Sequence, residues 1–85
     1  MKIEIFGSGC TRCNETEKKV KDALSFLNLN ADVVKIENPL EIGTRGILLT
    51  PAVAINGEIK CTGKIPEIRE LHNWITTAAL NEEKE

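Results

Sequence analysis

No apolar run in this sequence approaches the roughly 18 residues that a membrane-spanning helix needs. The N-terminus, Met1-Lys2-Ile3-Glu4, offers no h-region of a secretory signal before its first polar residues. A basic stripe is missing too: 11 lysines and arginines are interspersed among 13 acids, for a net charge of −2. The electrostatic footprint of nucleic-acid binding is therefore absent, and neither a membrane nor a nucleic acid is expected as a partner. Internal repeats, linkers and low-complexity segments are lacking. Cysteine is sparse and odd in number, three in 85 residues, whereas a secreted disulfide scaffold usually carries an even set. These absences point to a cytoplasmic protein. At this length the chain buries only roughly 60–65% of its unfolded surface, enough for one modest core. The expectation is a single domain over 1–80 followed by a polar, frayed tail over 81–85.

What the chain does have is a cysteine pair in a telling place. Lys2-Ile3-Glu4-Ile5-Phe6 reads as a short strand with apolar residues on both faces, which suits a central position. Gly7-Ser8-Gly9 punctuates a turn and lets the backbone pack tightly. Cys10-Thr11-Arg12-Cys13 follows, and the stretch to Leu27 reads as a helix with Cys13, Thr16, Val20, Ala23, Leu24 and Leu27 on its inner face. Glu15–Lys19 and Glu17–Lys21 are i,i+4 pairs on a solvated face. Asn28 and Asn30 supply the stop. The pair thus sits where a helix begins. Unpaired N–H groups and the helix dipole stabilise negative charge there, which favours a thiolate over a thiol at Cys10. Arg12 either adds positive charge beside Cys10 or faces solvent.

The remaining elements follow in order. Ala31–Ile36 reads as a second strand, with Val33 and Val34 as β-branched formers. Asn38 caps a short helix with Pro39 at its first position and Glu41 completing a capping box; Gly46 ends it. Thr50-Pro51 opens a third strand, Ala52–Ile55, and Asn56-Gly57 is a strong hairpin signal. Glu58–Cys61 returns, Gly63 breaks it, and Pro66 starts a last helix with Ile68, Leu71, Ile75, Ala78 and Ala79 on one stripe. His72 is expected on the polar face of that helix, and Trp74 against the body of the domain. The order β-α-β-α-β-β-α predicts an α/β fold, a four-stranded mixed sheet flanked by three helices, with a right-handed crossover.

A Cys-x-x-Cys pair in a reducing compartment is either redox-catalytic or metal-binding. Two soft thiolates after a strand also suit copper(I), as in heavy-metal-associated domains. That architecture needs a second βαβ half, where this chain has Thr50-Pro51 and a hairpin. Structural zinc would have to recruit Cys61 and His72, which lack metal-knuckle spacing. No metal and no cofactor is expected beyond the Cys10–Cys13 disulfide itself. A redox-regulatory interaction module without turnover is a further alternative.

Together, Cys10-Thr11-Arg12-Cys13 after the first strand, Thr50-Pro51 before the third, the hairpin, and Gly63 before the last helix resemble the thioredoxin fold in its compact, glutaredoxin-sized form. The similarity runs over about Lys2–Leu80 and is greatest to the small redox-active disulfide proteins of archaea and bacteria. Where thioredoxins carry Gly-Pro and glutaredoxins Pro-Tyr between the cysteines, this chain has Thr11-Arg12. Thr62-Gly63-Lys64 lacks the acid of glutathione-binding sequences. The resemblance implies a thiol–disulfide oxidoreductase with Cys10 as nucleophile and Cys13 as resolving thiol. It further implies a cis-Pro51 facing them, and substrate contacts from Thr11, Arg12, Thr50, Pro51 and Gly63. Its partners would be disulfide-containing proteins and an upstream thiol reductase, and it would act as a monomer. Glu4 either accepts a proton beneath the disulfide, a role an acid on this strand fills in thioredoxins, or faces solvent on a thinly covered side. Cys61 is expected at the same end of the sheet as the cysteine pair, as a partly buried thiol packing like a small apolar residue.

Overall fold

Alternation along the first strand sets the architecture. Side chains of a strand point to opposite faces in turn, and here Ile3 and Ile5 enter one core while Phe6 enters another. The computed structural model describes residues 1–7 and 11–83, the last by its backbone alone. Its elements are β1 (Lys2–Phe6), α1 (Thr11–Leu27), β2 (Asp32–Ile36), α2 (Pro39–Thr44), β3 (Ala52–Ile55), β4 (Glu58–Thr62) and α3 (Ile68–Glu83). The sheet order is β2-β1-β3-β4, with β2 parallel to β1 and the hairpin β3-β4 antiparallel. This is the expected α/β, mixed four-stranded arrangement with three helices. No helix among the described residues is long and apolar enough to cross a membrane.

The larger core lies between the sheet and the α1/α3 pair. Ile3, Ile5, Val20, Ala23, Leu24, Val53, Ile55, Leu71 and Ile75 meet there. On the other face α2 and the residues just after it supply cover: Phe6, Ile36, Ala52 and Ala54 pack with Ile42 and Ile47. Thr16, polar but fully buried, satisfies its hydroxyl by donating to the Arg12 carbonyl one turn back (2.9 Å).

Helix ends follow the sequence closely. At the end of α1, Asn28 adopts the left-handed conformation (φ 56°). Leu29 N–H then reaches the Leu24 carbonyl and Asn28 N–H the Ser25 carbonyl, the paired bonds of a Schellman motif. At the start of α2, Asn38 accepts from Leu40 N–H at 2.9 Å, with Pro39 in the first turn. Its end repeats the Schellman pattern. Gly46 (φ 77°) donates to the Gly43 carbonyl and Ile47 to the Ile42 carbonyl, and the two isoleucines bury together.

Four boundaries differ from expectation. β2 starts at Asp32, and β4 runs on to Thr62 opposite Ala52. Pro66 is buried ahead of α3, not in its first turn: the Glu70 carboxylate accepts from Glu67 N–H (3.1 Å), capping the helix there. Ile68 is 43% exposed, because a stripe position in the first turn has packing neighbours on one side only. At its other end α3 continues to Glu83, through residues expected as tail. Glu82 is held by the Met1 amino group (3.0 Å) and the Asn56 side chain (3.4 Å). Of the two helical ion pairs, Glu17–Lys21 forms (3.5 Å), while Lys19 turns to the Pro66 carbonyl.

Two glycines of α2 make opposite predictions. A Cβ at either Gly43 or Gly46 meets nothing within 4 Å, so backbone preference alone decides. Gly46→Ala forces a left-handed alanine and is expected to cost about 1–2 kcal/mol. Gly43→Ala removes chain entropy from a helical site and is expected to add about 0.5–1 kcal/mol. Urea denaturation of both variants checks the sign of each.

Candidate functional site

The site forms where β1 stops. Gly7 extends the pairing one residue past the strand by donating to the Ile36 carbonyl (2.9 Å). A Cβ on Gly7 would collide with Cys13 Sγ, and would lie 3.0 Å from Cys13 Cβ and 4.0 Å from Thr50 Cβ. The space a side chain would fill is thus occupied by sulfur. Cys13, in the first turn of α1, is fully buried. Cys10, the other expected cysteine, lies outside the described residues.

The Thr50–Pro51 peptide bond is cis, and Pro51 is buried while Thr50 is exposed. From Pro51 two hydrogen bonds lead across the surface. Its carbonyl accepts from Gly63 N–H (2.8 Å), and the Gly63 carbonyl accepts from the Arg12 guanidinium (2.9 Å). Gly63 has φ 75°, and a Cβ there would meet the Leu49 side chain at 3.0–3.1 Å. Glycine is required at this point twice over, by conformation and by space. Thr11 opens α1 and is exposed. Cys13, Arg12, Thr50, Pro51 and Gly63 are therefore gathered at one end of the sheet.

Glu4 is placed differently from either expectation. It is buried, 6% exposed, and so does not face solvent. By alternation with Ile3 and Ile5 it points to the α2 side, the sheet face opposite α1. Its two oxygens accept from both forks of Arg45, at 2.8 and 3.1 Å. Arg45 reaches there from the end of α2, passing over the Phe6 ring at 5.1 Å. The bidentate hydrogen bonds hold the carboxyl below its ordinary pKa, outweighing the opposing effect of burial. A group held ionised in this way is a poor proton acceptor, which corrects that reading. Arg45 was not singled out in the sequence. The available signal was a cation at the C-cap of a short helix over a strand bearing a lone acid.

Cys61 lies opposite Val53 on β4, at the site end of the sheet, half-buried beside the larger core. Burial pushes its thiol above the ordinary range. His72 is half-buried, and its ring stacks on the exposed Phe26, centroids 4.9 Å apart and 8° from parallel. Trp74 packs against the core. Among the described residues, no three His, Cys, Asp or Glu side chains cluster as metal ligands would.

Two outcomes test this geometry. Gly7→Ala overpacks against Cys13 and is expected to cost about 1–3 kcal/mol in urea denaturation. The second is a pH dependence. A carboxylate with a depressed folded pKa contributes stability that is complete above its unfolded pKa of about 4.5 and is lost as pH falls through the folded value. Wild type is therefore expected to exceed Glu4→Gln in thermal midpoint at neutral pH. That margin should shrink as the buffer is taken below about pH 4; a constant margin would show that the Glu4 charge contributes nothing.

The fold has counterparts among known proteins. The family described as "Thioredoxin domain" matches residues 1–76. A thioredoxin of Methanocaldococcus jannaschii is 41% identical over 69 residues, 81% of this chain and 79% of that protein. A thioredoxin of Methanothermobacter thermautotrophicus is 34% identical over 71 residues, 84% of this chain and 92% of that one. The solved structure of thioredoxin 1 from Thermosipho africanus covers the whole of both chains with a TM-score of 0.66 at 24% identity, a likeness of fold. Matched over most of its length by family and relatives alike, the chain belongs to the thioredoxin family, a family of thiol–disulfide oxidoreductases.

Proposed function

We propose that the chain reduces or exchanges protein disulfides through Cys10 and Cys13, in the cytoplasm, as a monomer and without a bound cofactor. The observation that carries this reading is the fully buried Cys13 sulfur, packed against the bare α-carbon of Gly7 and beside Thr50. Cys10, three positions earlier, is assigned the attack from its place in the motif. A helix N-terminus and the Arg12 charge both favour its thiolate.

The exchange has two steps. The Cys10 thiolate bonds to one sulfur of the substrate disulfide; the substrate S–S bond breaks, and the departing thiolate takes up a proton. Cys13 then gives up its proton and attacks the Cys10 sulfur. The Cys10–Cys13 bond forms, the mixed disulfide breaks, and the second substrate thiol leaves. The substrate gains two electrons from the pair; Cys13 supplies one of its two protons, and solvent, which took the Cys10 proton on ionisation, returns the other. An upstream thiol reductase restores the dithiol. Thr50, exposed ahead of Pro51, offers backbone groups to which an extended substrate can add as a short strand.

The roles separate by reactivity. Cys10 is expected to be alkylated much faster than buried Cys13. Cys10→Ser is expected to abolish disulfide reduction. Cys13→Ser is expected to stop after one attack and hold the substrate as a mixed disulfide, visible by non-reducing electrophoresis and mass mapping. Equal alkylation rates at the two thiols would overturn the assignment.

A further inference from the structure

The partner of the Arg12 side chain lies across the surface, on the segment after β4. Its guanidinium carries five N–H donors. One is placed on the Gly63 carbonyl at 2.9 Å. Among the described residues no carboxylate pairs with it, and the residue is exposed. A cation held by a neutral carbonyl keeps its charge uncompensated. Because that bond already restrains the side chain, less rotamer freedom remains to be lost when a second acceptor binds.

The surroundings strengthen the bias. Lys19 from α1 also reaches the segment after Gly63, at the Pro66 carbonyl (3.5 Å), again with a neutral acceptor. Lys64, next to Gly63, is the cation here that does find an acid, Glu70 at 3.0 and 3.1 Å. On the other side of Gly63 stands Leu49, 63% exposed, and before it Leu48, 93% exposed. A substrate chain laid along Thr50 would meet apolar side chains first and an unneutralised guanidinium next. The linkage is short: Pro51 carbonyl to Gly63 N–H, then Gly63 carbonyl to Arg12. Arg12 also stands two positions after Cys10 in the motif.

We propose that Arg12 recognises a carboxylate of the substrate, selecting protein disulfides whose reacting cysteine is flanked by Asp or Glu. This rests on the oxidoreductase reading above and adds a substrate class to it. Net charge does not account for such a preference, because the whole chain is acidic at −2 and its overall field opposes an acidic partner.

The test uses the full chain and two disulfide-linked peptides of identical sequence, one with Glu and one with Gln on both sides of each cysteine. The readout is the ratio of kcat/KM for the two, taken within each variant, so it is independent of how much of a variant folds. Wild type is expected to favour the Glu peptide about two- to fivefold at low salt, and to lose that preference as ionic strength rises to about 0.5 M. Arg12→Gln is expected to bring the ratio to about one, Arg12→Lys to keep part of it, and Arg12→Glu to invert it. A wild-type ratio of one would overturn the proposal. So would a preference that persists in Arg12→Gln while both rates fall together, which would make Arg12 only a latch on Gly63. If the reduced wild type turns over neither peptide, the oxidoreductase reading itself fails and the inference falls with it. Alkylation of both motif thiols beforehand shows that the dithiol was present.

Discussion

The bare α-carbon of Gly7 is the constraint on which the site depends. Three elements converge there: the end of β1, the first turn of α1 and the approach to β3. The Cys13 sulfur lies where a Cβ would stand, and Thr50 is at ordinary contact distance. Any side chain at this position must push α1 away from the strand or turn the sulfur out of its burial. The close approach also sets the helix down over Ile3 and Ile5, so that Val20, Ala23 and Leu24 complete the same core. The chemistry and the packing therefore share one contact. A thiol kept from solvent by the core is also one that waits for an intramolecular attack rather than reacting with passing molecules.

The second face of the sheet is built on a different principle. One six-residue helix covers it, and the strand beneath carries an acid at Glu4. Burying a carboxylate is tolerable only with a partner of good geometry. Arg45 supplies that geometry from the end of α2, with its guanidinium over Phe6 and both forks on Glu4. The ion pair ties the short helix to the central strand, where apolar contact is limited to a few residues. It also leaves Glu4 a weak base. In the proposed cycle the proton of Cys13 needs another acceptor, and the thiolate released in the first step, with an ordinary pKa near 8.5, is basic enough to take it.

How far the fold was legible depended on whether its signals were local. The bounds of α1, the Asn28 stop, the Asn38-Pro39 start and the Gly46 end are all written within four or five neighbouring residues, and the structure follows them. The mixed four-stranded sheet followed from the order of the elements, and the hairpin brings Cys61 back toward the end where β1 stops. What was not legible was long-range. Glu4 and Arg45 are 41 residues apart, and nothing near either names the other. The C-terminal residues read as a tail because their composition is polar. Residues 81–83 are helical because Glu82 meets Asn56 and the amino terminus, partners supplied by the fold.

Gly63 shows how little of the site's wiring depends on side-chain identity. Its N–H and carbonyl both act through the backbone, one toward Pro51 and one toward Arg12. Only its conformation and the space taken by Leu49 matter, and both demand glycine. Pro51 likewise contributes a carbonyl. In the path from the cis-proline to the cysteine motif, Arg12 is thus the one link made by a side chain. The backbone links need only glycine at position 63, whereas the side-chain link changes with any substitution of Arg12. The inner pair of the motif is therefore where this chain's charge toward a partner is set, while the surrounding frame stays the same.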